Sequence, residues 1–314
     1  MSKAIVVIGE ALVEVMRPSA GMPLDQEGTF TGPFASGAPA IFAVAAARLG
    51  YPVRFIGSVG QDAFGRLLRS RLQREGVDAA GLQSPLGVAT GVAFVAYARD
   101  GSREFVFHLR HSAAGALSAE QISPAAFTNV SWLHISGSTL SLNESCQAAC
   151  WRAVELTKAA GGRVSFDPNL RPELMAVEAA RTVFARYMEA ADLLVPTASE
   201  AQALAGIADD DRAATLLLGN RDKVLVYKRG AAGCSVYAGG RRLDVPGFKV
   251  EEVDPTGAGD CFNAAFLVGL EERWPLEQVA RFACAAGALA VTKRGPMEGA
   301  PSHEEAEKVS RMTI

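Results

Sequence analysis

The chain has 314 residues, of which 49% are hydrophobic, and it carries a formal net charge of −3 at pH 7. This length allows one large core or two unequal domains. Lys and Arg are spread along the chain rather than gathered in a basic stripe, so we expect no nucleic-acid partner. The apolar stretches are broken well before about 18 residues, and the N-terminus MSKAIVVIGE lacks a signal-peptide pattern. We therefore expect no membrane association and a cytoplasmic location.

Short β-branched runs alternate with longer helical patterns along most of the chain. The predicted strands cover 4–9, 53–60, 131–136, 163–167, 192–196 and 223–228. The predicted helices cover 38–50, 62–76, about 144–160, about 173–190, 199–205, about 258–270 and 275–293. We expect the regular pattern to end with the last two of these helices. Uncharged strands separated by helices are typical of a mostly parallel sheet covered on both faces, so we predict an α/β three-layer sandwich.

Two segments break this rhythm. The stretch 90–110 alternates with period two across an RDGS turn, which predicts a β-hairpin. The stretch 13–32 is polar, carries turn residues and has no helical face. We interpret them as one small β-sheet that covers an edge of the main sheet as a lid. The predicted body is then 1–12, 33–88 and 112–314, and the predicted lid is 13–32 and 89–111.

Neither the cysteines nor the histidines indicate a metal site. The five cysteines, at positions 146, 150, 234, 261 and 284, form no Cys-x-x-Cys pair. The stretch HEEAE at 303–307 lacks the second histidine of a His-Glu-x-x-His zinc helix. We interpret the cysteines as buried, reduced thiols of a cytosolic protein.

The common nucleotide-binding signatures are absent, but GAGD at 257–260 offers another phosphate cradle. There is no Gly-Lys dipeptide, hence no Walker A loop, and no Gly-x-Gly-x-x-Gly. Gly257 and Gly259 allow consecutive backbone N–H groups to point at one place, and a helix that begins near Ala258 adds its positive end. An ionised Asp260 beside such an anion hole suits phosphoryl transfer, as the acceptor of the attacking hydroxyl's proton. Alternatively, Asp260 is only a helix N-cap after a glycine turn.

The order of the motifs resembles that of the PfkB (ribokinase-like) family of carbohydrate kinases over nearly the whole chain. SGAPAIFAVAAARLG (36–50) resembles the family's N-terminal signature, and IGSVGQDAFGRLL (56–68) resembles the element that follows it. SFDPNLRPEL (165–174) is similar to the strand end of ketose and keto-deoxy-sugar kinases, and DPTGAGDCFNAAF (254–266) resembles the specific C-terminal signature. The resemblance implies the ribokinase-like fold and ATP-dependent phosphorylation of a sugar hydroxyl with Mg²⁺.

The resemblance also implies roles for individual residues. Asp260 matches the catalytic base, and the amides of Gly257, Ala258 and Gly259 match the anion hole. The implied sugar-binding residues are Glu14, Gly37, Arg110, Asp167, Asn169 and Arg171, together with Asp260. The implied ATP-binding residues are Thr197, Lys228, Gly230, Gly233, Gly257, Gly259, Ala286 and Gly287. Glu200 would assist Mg²⁺ through water, and Asp254 and Thr256 match a site that in some members binds K⁺.

This sequence departs from the family pattern at three positions. Ser36 replaces the second glycine of the N-terminal signature, and Ile41 replaces an asparagine that often binds sugar. Thr197 replaces the asparagine of an Asn-x-x-Glu element, of which Glu200 is retained. A hydroxyl can still order water around Mg²⁺, although the match is weaker.

The identity of the substrate stays open at this point. SGAPAIF and GSTLSL resemble tagatose-type kinases, which favours a neutral ketohexose such as tagatose or fructose. Arg110 and Arg171 could jointly bind a carboxylate, which would favour 2-keto-3-deoxygluconate, or they could be surface arginines paired with Glu. A nucleoside kinase and a non-catalytic sugar-binding regulator are more distant alternatives. Because the hairpin alternates apolar and polar residues, we also expect a homodimer formed through the two lids.

Overall fold

The computed structural model describes residues 3–100, 102–219 and 222–312. Its strands are β1 Ala4–Ile8, β2 Leu12–Met16, β3 Thr31–Ser36, β4 Val53–Ser58, β5 Asp78–Gln83, β6 Gly91–Tyr97, β7 Arg103–His108, β8 Val130–Ser136, β9 Arg163–Asp167, β10 Leu193–Leu194, β11 Val224–Lys228, β12 Cys234–Ala238 and β13 Arg241–Val245. Its helices are α1 Ala38–Arg48, α2 Ala63–Arg74, α3 Gly137–Leu140, α4 Glu144–Ala159, α5 Val177–Ala190, α6 Ala198–Ala205, α7 Asp210–Leu218, α8 Ala258–Glu271, α9 Leu276–Ala290 and α10 His303–Ser310.

The strands form one large and one small sheet, as predicted. The large sheet has the order β13-β12-β11-β10-β9-β8-β1-β4-β5. Its pairs are parallel from β5 to β11, whereas β11, β12 and β13 pair antiparallel. Separate hydrophobic clusters lie on the two faces of this sheet. The predicted three-layer α/β sandwich is therefore confirmed.

Several elements at the margins of the fold were not predicted. Strand β5 forms one edge of the large sheet, although its sequence DAAGLQ has no β-branched residue. The hairpin of β12 and β13 forms the other edge. Helix α10 follows the two predicted C-terminal helices, so the expectation that the pattern ends with them was wrong. Its start has a capping box of Ser302 and Glu305, a signal that the sequence does carry.

The small sheet has the order β3-β2-β6-β7. Strands β6 and β7 are antiparallel, which confirms the predicted hairpin, and β2 joins β6 in parallel. Leu12 and the segment 33–36 also belong to this sheet, just outside the segments predicted for the lid. The alternation along β2 turns Glu14 to the same face as Leu12 and Met16.

Polar residues cluster at the carboxyl ends of the parallel strands of the large sheet. Parallel strands end on the same side of a sheet, so the residues that end or follow β1, β8, β9 and β11 meet there. These residues are Glu10, Ser136, Asp167 and Lys228. All five cysteines are free and buried, as predicted, and no helix in the described part of the chain has the length and apolar character that a membrane span needs.

Candidate active site

Helix α8 begins with a backbone turn that only glycine accommodates. Gly257 is its N-cap residue with φ 83° and ψ −5°, in the left-handed region. A Cβ atom on Gly257 would lie 2.3 Å from the carbonyl oxygen of Pro296. The N–H groups of the first turn, of which that of Ala258 makes a long 3.4 Å contact with the Pro255 carbonyl oxygen, and the positive end of the helix lie beside the carboxyl ends of the strands, which is the arrangement of an anion-binding site.

Asp260 is the third residue of this helix and lies partly buried. No side-chain cap is formed at the start of α8, so the alternative that Asp260 is an N-cap was wrong. Burial, followed by the negative charge of Asp167, raises the pKa of Asp260 to about 8, against the opposing effects of Lys228 and Arg171. At this pKa the carboxyl is mostly protonated at pH 7 and ionises around pH 8, and only its ionised form can accept a proton as a general base must.

Asp167, at the end of β9, is held by protein groups on both carboxylate oxygens. Its Oδ2 accepts hydrogen bonds from Lys228 Nζ at 2.7 Å and from Asn263 Nδ2 at 2.6 Å. Its Oδ1 accepts from the backbone N–H of Asn169 at 3.1 Å. Asp167 is only 3% exposed, so its predicted role in sugar binding would act through these neighbours more than through a free oxygen.

Glu14 extends from the small sheet with one oxygen free to bind. Its Oε2 accepts a hydrogen bond from Ser36 Oγ at 3.0 Å, whereas its buried Oε1 has no partner among the described residues. Burial raises the pKa of Glu14 to about 7, and the nearby charge of Asp254 adds to the effect. An unpartnered buried acceptor is costly, so this oxygen is available to accept a hydrogen bond from water or from a ligand hydroxyl.

A second buried acid, which sequence reasoning missed, organises the strand ends. Glu10 follows β1 and accepts hydrogen bonds from Ser138 Oγ at 2.7 Å and from Thr139 Oγ1. Ser138 and Ser136 lie 2.7 Å apart through their hydroxyls, and Asn169 Nδ2 donates to Ser136 Oγ at 3.0 Å. This network fixes Asn169, whose φ of 37° is unusual for a non-glycine residue. The signal was an acid directly after a buried strand.

Arg110 contacts the turn at residues 171–174, which Arg171 begins, and Arg171 Nη1 donates to the carbonyl oxygen of Leu170 at 3.0 Å. Arg110 Nη2 donates to the carbonyl oxygen of Leu174 at 2.8 Å, and the N–H of Leu174 donates to the carbonyl oxygen of Arg171 at 2.9 Å. Among the described residues, neither arginine forms an ion pair with Glu or Asp. The alternative of surface arginines paired with Glu was therefore wrong, and both guanidinium groups retain donors for a ligand.

The residues predicted for ATP lie around the start of α8. Thr197 and Lys228 are adjacent in a parallel bridge at the ends of β10 and β11. A Cβ atom on Gly259 would lie 3.6 Å from Lys228 Nζ, so this ammonium group stands beside the predicted anion hole. A Cβ atom on Gly287 would lie 3.3 Å from the carbonyl oxygen of Ala258.

The remaining predicted ATP residues differ in exposure. Ala286 is fully buried, so only its neighbour Gly287 can offer surface to a base. Gly233 has φ 94°, and a Cβ atom there would lie 2.1 Å from the carbonyl oxygen of Val245. The glycine is therefore needed to bring this loop against β13, while Gly230 is exposed at the loop's other end.

Close contacts at Gly37 and Gly257 show how helix α1 packs against the candidate site. Gly37 has φ 106°, and a Cβ atom on it would lie 2.6 Å from the carbonyl oxygen of Glu10. Ile41 is buried, with its Cγ2 atom 3.1 Å from a Cβ position on Gly257. Ile41, which stands where an asparagine often binds sugar, therefore packs behind the α8 turn.

The residues predicted for metals are already engaged by the protein. Glu200 Oε1 accepts from the N–H of Leu170 at 2.8 Å, and its Oε2 accepts from the N–H of Thr197 at 2.7 Å in a capping box. Within the described ranges no group of three or more His, Cys, Asp or Glu side chains could hold a metal. This chain therefore fits Mg²⁺ that is carried by phosphate oxygens and water, with Glu200 at a distance.

The Asp254 carboxylate connects the lid to the loop before α8. Tyr97, at the end of β6, donates to Asp254 Oδ1 at 2.7 Å and lies 2.7 Å from Thr256 Oγ1. The N–H groups of Thr256 and Gly295 donate to the two carboxylate oxygens at 3.0 and 2.9 Å. Tyr97 was not predicted, because nothing local to β6 marks its partner 157 positions along the chain.

A lid sheet, a partly buried carboxylate and a glycine-built anion hole together define an α/β phosphotransferase site. The profile of the "pfkB family carbohydrate kinase" matches residues 2–303. The chain belongs to this family, and the predicted resemblance is confirmed.

Known relatives cover the chain almost completely. Fructokinase-1 of Oryza sativa subsp. japonica is 36% identical over 317 residues, 98% of each chain. A protein of E. coli, described only provisionally as ribokinase II and solved with ATP and Mg²⁺, has a TM-score of 0.92 and 39% identity over 98% of this chain and 99% of that one. Fructokinase from Vibrio cholerae O395, solved with fructose, ADP and a calcium ion, has a TM-score of 0.87 and 28% identity over 98% and 99%.

Proposed function

We propose that this protein is an ATP-dependent kinase that phosphorylates a hydroxyl of a ketohexose of the fructose or tagatose type. The observation that carries the proposal is the position of Asp260. It lies partly buried in the first turn of helix α8, and its side chain is not used as the helix N-cap. Glu14 adds a free buried acceptor from the lid side. The similarity to fructokinases over nearly the full chain supports a ketohexose as the acceptor.

The chemistry assigns a separate task to each part of this site. The Asp260 carboxylate accepts the proton of the sugar hydroxyl while that oxygen bonds to the γ-phosphorus of ATP. The bond between this phosphorus and the β–γ bridging oxygen breaks, and ADP leaves with the electron pair. The amides of Gly257, Ala258 and Gly259 stabilise charge on the transferred group. Glu14, Asn169 and Gly37 orient the sugar.

Metal ions support the same reaction. Mg²⁺, when bound to the phosphates, neutralises charge that builds up between ADP and the transferred group. Both carboxylate oxygens of Glu200 already accept hydrogen bonds from backbone N–H groups, so Glu200 would not bind the metal directly. Thr197 and Glu200 would instead order water around Mg²⁺. Asp254 and Thr256 would contribute oxygens to a K⁺ site. A K⁺ ion there would compete with the Tyr97 hydroxyl for Asp254, so turnover in KCl and in LiCl should differ if the site is used.

A specific observation favours a second substrate, 2-keto-3-deoxygluconate. Arg110 Nη2 donates to the turn that begins at Arg171, and neither arginine has an acidic partner in the described structure, so both could donate to a sugar carboxylate. Against this, Glu10 and Glu14 both lie within electrostatic reach of Arg171 and can neutralise it. We therefore place the neutral ketohexose first.

The deciding experiment is ATP turnover with fructose, tagatose, 2-keto-3-deoxygluconate and adenosine, on wild type and on Arg171→Ala. We expect the highest kcat/KM with a ketohexose, and NMR of the product identifies the hydroxyl. A preference of about tenfold for the acid sugar, roughly 1.4 kcal/mol, that disappears in Arg171→Ala would establish the second substrate. Sugar binding without any turnover would instead favour a non-catalytic regulator.

We also propose that the small sheet acts as a lid and joins two copies into a homodimer in the cytoplasm. On its outer side, Phe30 is 38% exposed, Val106 is 41% exposed, and Phe94 lies between them. An apolar patch of this kind marks an interface more often than a free surface. Light scattering should give a dimer for wild type and a monomer for Val106→Lys, with Leu86→Lys as an exposed apolar control away from this sheet.

A further inference from the structure

Lys228 is the only described cation whose charged group is shown both beside the α8 turn and paired with a buried acid. Its Nζ lies 2.7 Å from Asp167 Oδ2, with 11% and 4% of the two side chains exposed. The same Nζ is 3.6 Å from a Cβ position on Gly259, the last residue of the predicted anion hole. A buried lysine in this place needs a reason beyond loop structure.

Three roles fit a lysine at the end of β11. It could be the counter-ion that allows Asp167 to stay buried, a structural role. It could bind ATP phosphates equally in the ground state and the transition state, which lowers KM and leaves kcat unchanged. It could interact with the transferred phosphoryl group only as charge builds there, which raises kcat.

We propose that Lys228 is a catalytic residue, whose ammonium group leaves Asp167 to bind the transferred phosphoryl group during the reaction. The proposal rests on the proposed phosphotransfer function. It adds no proton transfer: Lys228 keeps its three protons while the sugar proton goes to Asp260 and the bond to the β–γ bridging oxygen breaks. What Lys228 supplies is a positive charge next to the anion-hole amides.

The contacts of Asp167 explain how Lys228 can move without leaving a buried charge unpaired. Asn263, on α8, donates to the same Oδ2 atom at 2.6 Å, and the N–H of Asn169 donates to Oδ1. Asp167 therefore keeps two hydrogen bonds when Lys228 turns toward a phosphoryl group.

The same pair sets the charge around the catalytic base. The groups that act on Asp260 come from four places: Glu10 after β1, Asp167 in β9, Arg171 after β9 and Lys228 in β11. The negative charge of Asp167 raises the pKa of Asp260, and the positive charge of Lys228 lowers it. Neutralising Asp167 should therefore move the midpoint of the kcat/KM pH profile down, and neutralising Lys228 should move it up.

The test compares three variants with wild type. Asp167→Asn retains the lysine, and Lys228→Met leaves Asp167 with only its two N–H donors and no cation. The double variant removes both charges, which keeps the protein foldable if Lys228→Met alone is unstable. Lys158→Met is the control, because Lys158 pairs with Asp192 at 2.5 Å on the exposed end of α4. Thermal melting, kcat, KM, and calorimetric affinity for ADP with and without tetrafluoroaluminate are measured for each.

We expect the double variant to have a kcat about 10²-fold below that of Asp167→Asn, the scale of one lost transition-state donor. It should keep the ADP affinity of Asp167→Asn and lose most of the gain from tetrafluoroaluminate, a mimic of the transferred group. Relative to wild type, the pH midpoint should fall in Asp167→Asn and rise in Lys228→Met. Lys158→Met should match wild type in kcat.

Two results would overturn the proposal. A kcat of the double variant within about threefold of Asp167→Asn would make Lys228 a structural counter-ion. A loss of ADP affinity with an unchanged gain from tetrafluoroaluminate would make it a ground-state ligand of ATP. If wild type phosphorylates no sugar at all, the proposed function fails, whereas the nucleotide-binding measurements still decide the role of Lys228.

Discussion

Replacing Asp260 with Asn should destroy activity and stabilise the ligand-free protein. The native carboxyl has a pKa of about 8, against an ordinary value of 3.8. In the unfolded chain the group ionises from about pH 4 upward, whereas the folded protein keeps it protonated until about pH 8. The folded state therefore loses stability relative to the unfolded state as pH rises through this window, and it loses no more above it. Asn resembles the protonated acid and removes this loss.

The magnitude follows from the linkage between pKa and stability. Each pKa unit corresponds to about 1.4 kcal/mol, so the upper bound at pH 7 is about 4 kcal/mol. Because the cleft admits some water, we expect a gain of roughly 1–3 kcal/mol, which means a rise of several degrees in Tm. At pH 4 the difference between the two proteins should nearly vanish.

Thermal melting of both proteins at pH 4, 7 and 8.5, without ligands, is the assay. Glu272→Gln is the matched control, because Glu272 is an exposed acid at the other end of α8. In parallel, kcat of Asp260→Asn should fall by at least about 10²-fold with little change in ATP affinity. The reasoning is refuted if Asp260→Asn melts at or below the wild-type temperature at pH 7, or if the difference does not depend on pH.

Four further results are expected. In wild type, kcat/KM should rise about tenfold per pH unit up to about pH 8 and then level off, since Asp260 must be ionised; a flat profile from pH 6 would contradict this. Gly257→Ala should lower Tm and reduce kcat at least about tenfold, because its Cβ atom would meet the Pro296 carbonyl; wild-type behaviour would show that the turn can relax. Glu14→Gln should raise the sugar KM about tenfold or more and leave ATP affinity unchanged by calorimetry, and equal effects on both ligands would argue against a sugar contact. Tyr97→Phe should lower Tm by an amount equivalent to about 1–2 kcal/mol and raise the sugar KM, whereas an unchanged KM would leave Tyr97 a purely structural tie.

The large sheet could be predicted because its strands and helices are strongly periodic and locally consistent. The centre of each predicted strand of the body is apolar and buried, with charged residues only near the strand ends. Strand β5 escaped this reasoning because DAAGLQ has neither β-branched residues nor strict alternation. It is a strand because β4 offers a parallel partner and α2 brings the chain back to that edge, which is tertiary information.

The candidate site was predictable where one short segment carries the chemistry. GAGD combines the turn glycines, the helix start and the acid within four residues, so local backbone physics is sufficient. Glu10, Asn263 and Tyr97 could not be found in this way. Each acts through a partner between 96 and 157 positions away, as Ser138 does for Glu10 and Asp167 for Asn263. No local pattern records such pairings.

The contacts of Ser36 and Ile41 explain the two departures from the family's N-terminal signature. Ser36 stands where glycine is usual, and its hydroxyl donates to Glu14, so it holds the sugar-binding acid in place. Ile41 stands where an asparagine often binds sugar, and it packs behind Gly257. In this chain the start of α1 therefore packs behind the turn that begins α8, and we expect polar contact with a sugar to come from the lid and the strand ends. Substrate selectivity should follow Ser36 and Glu14 more closely than Ile41.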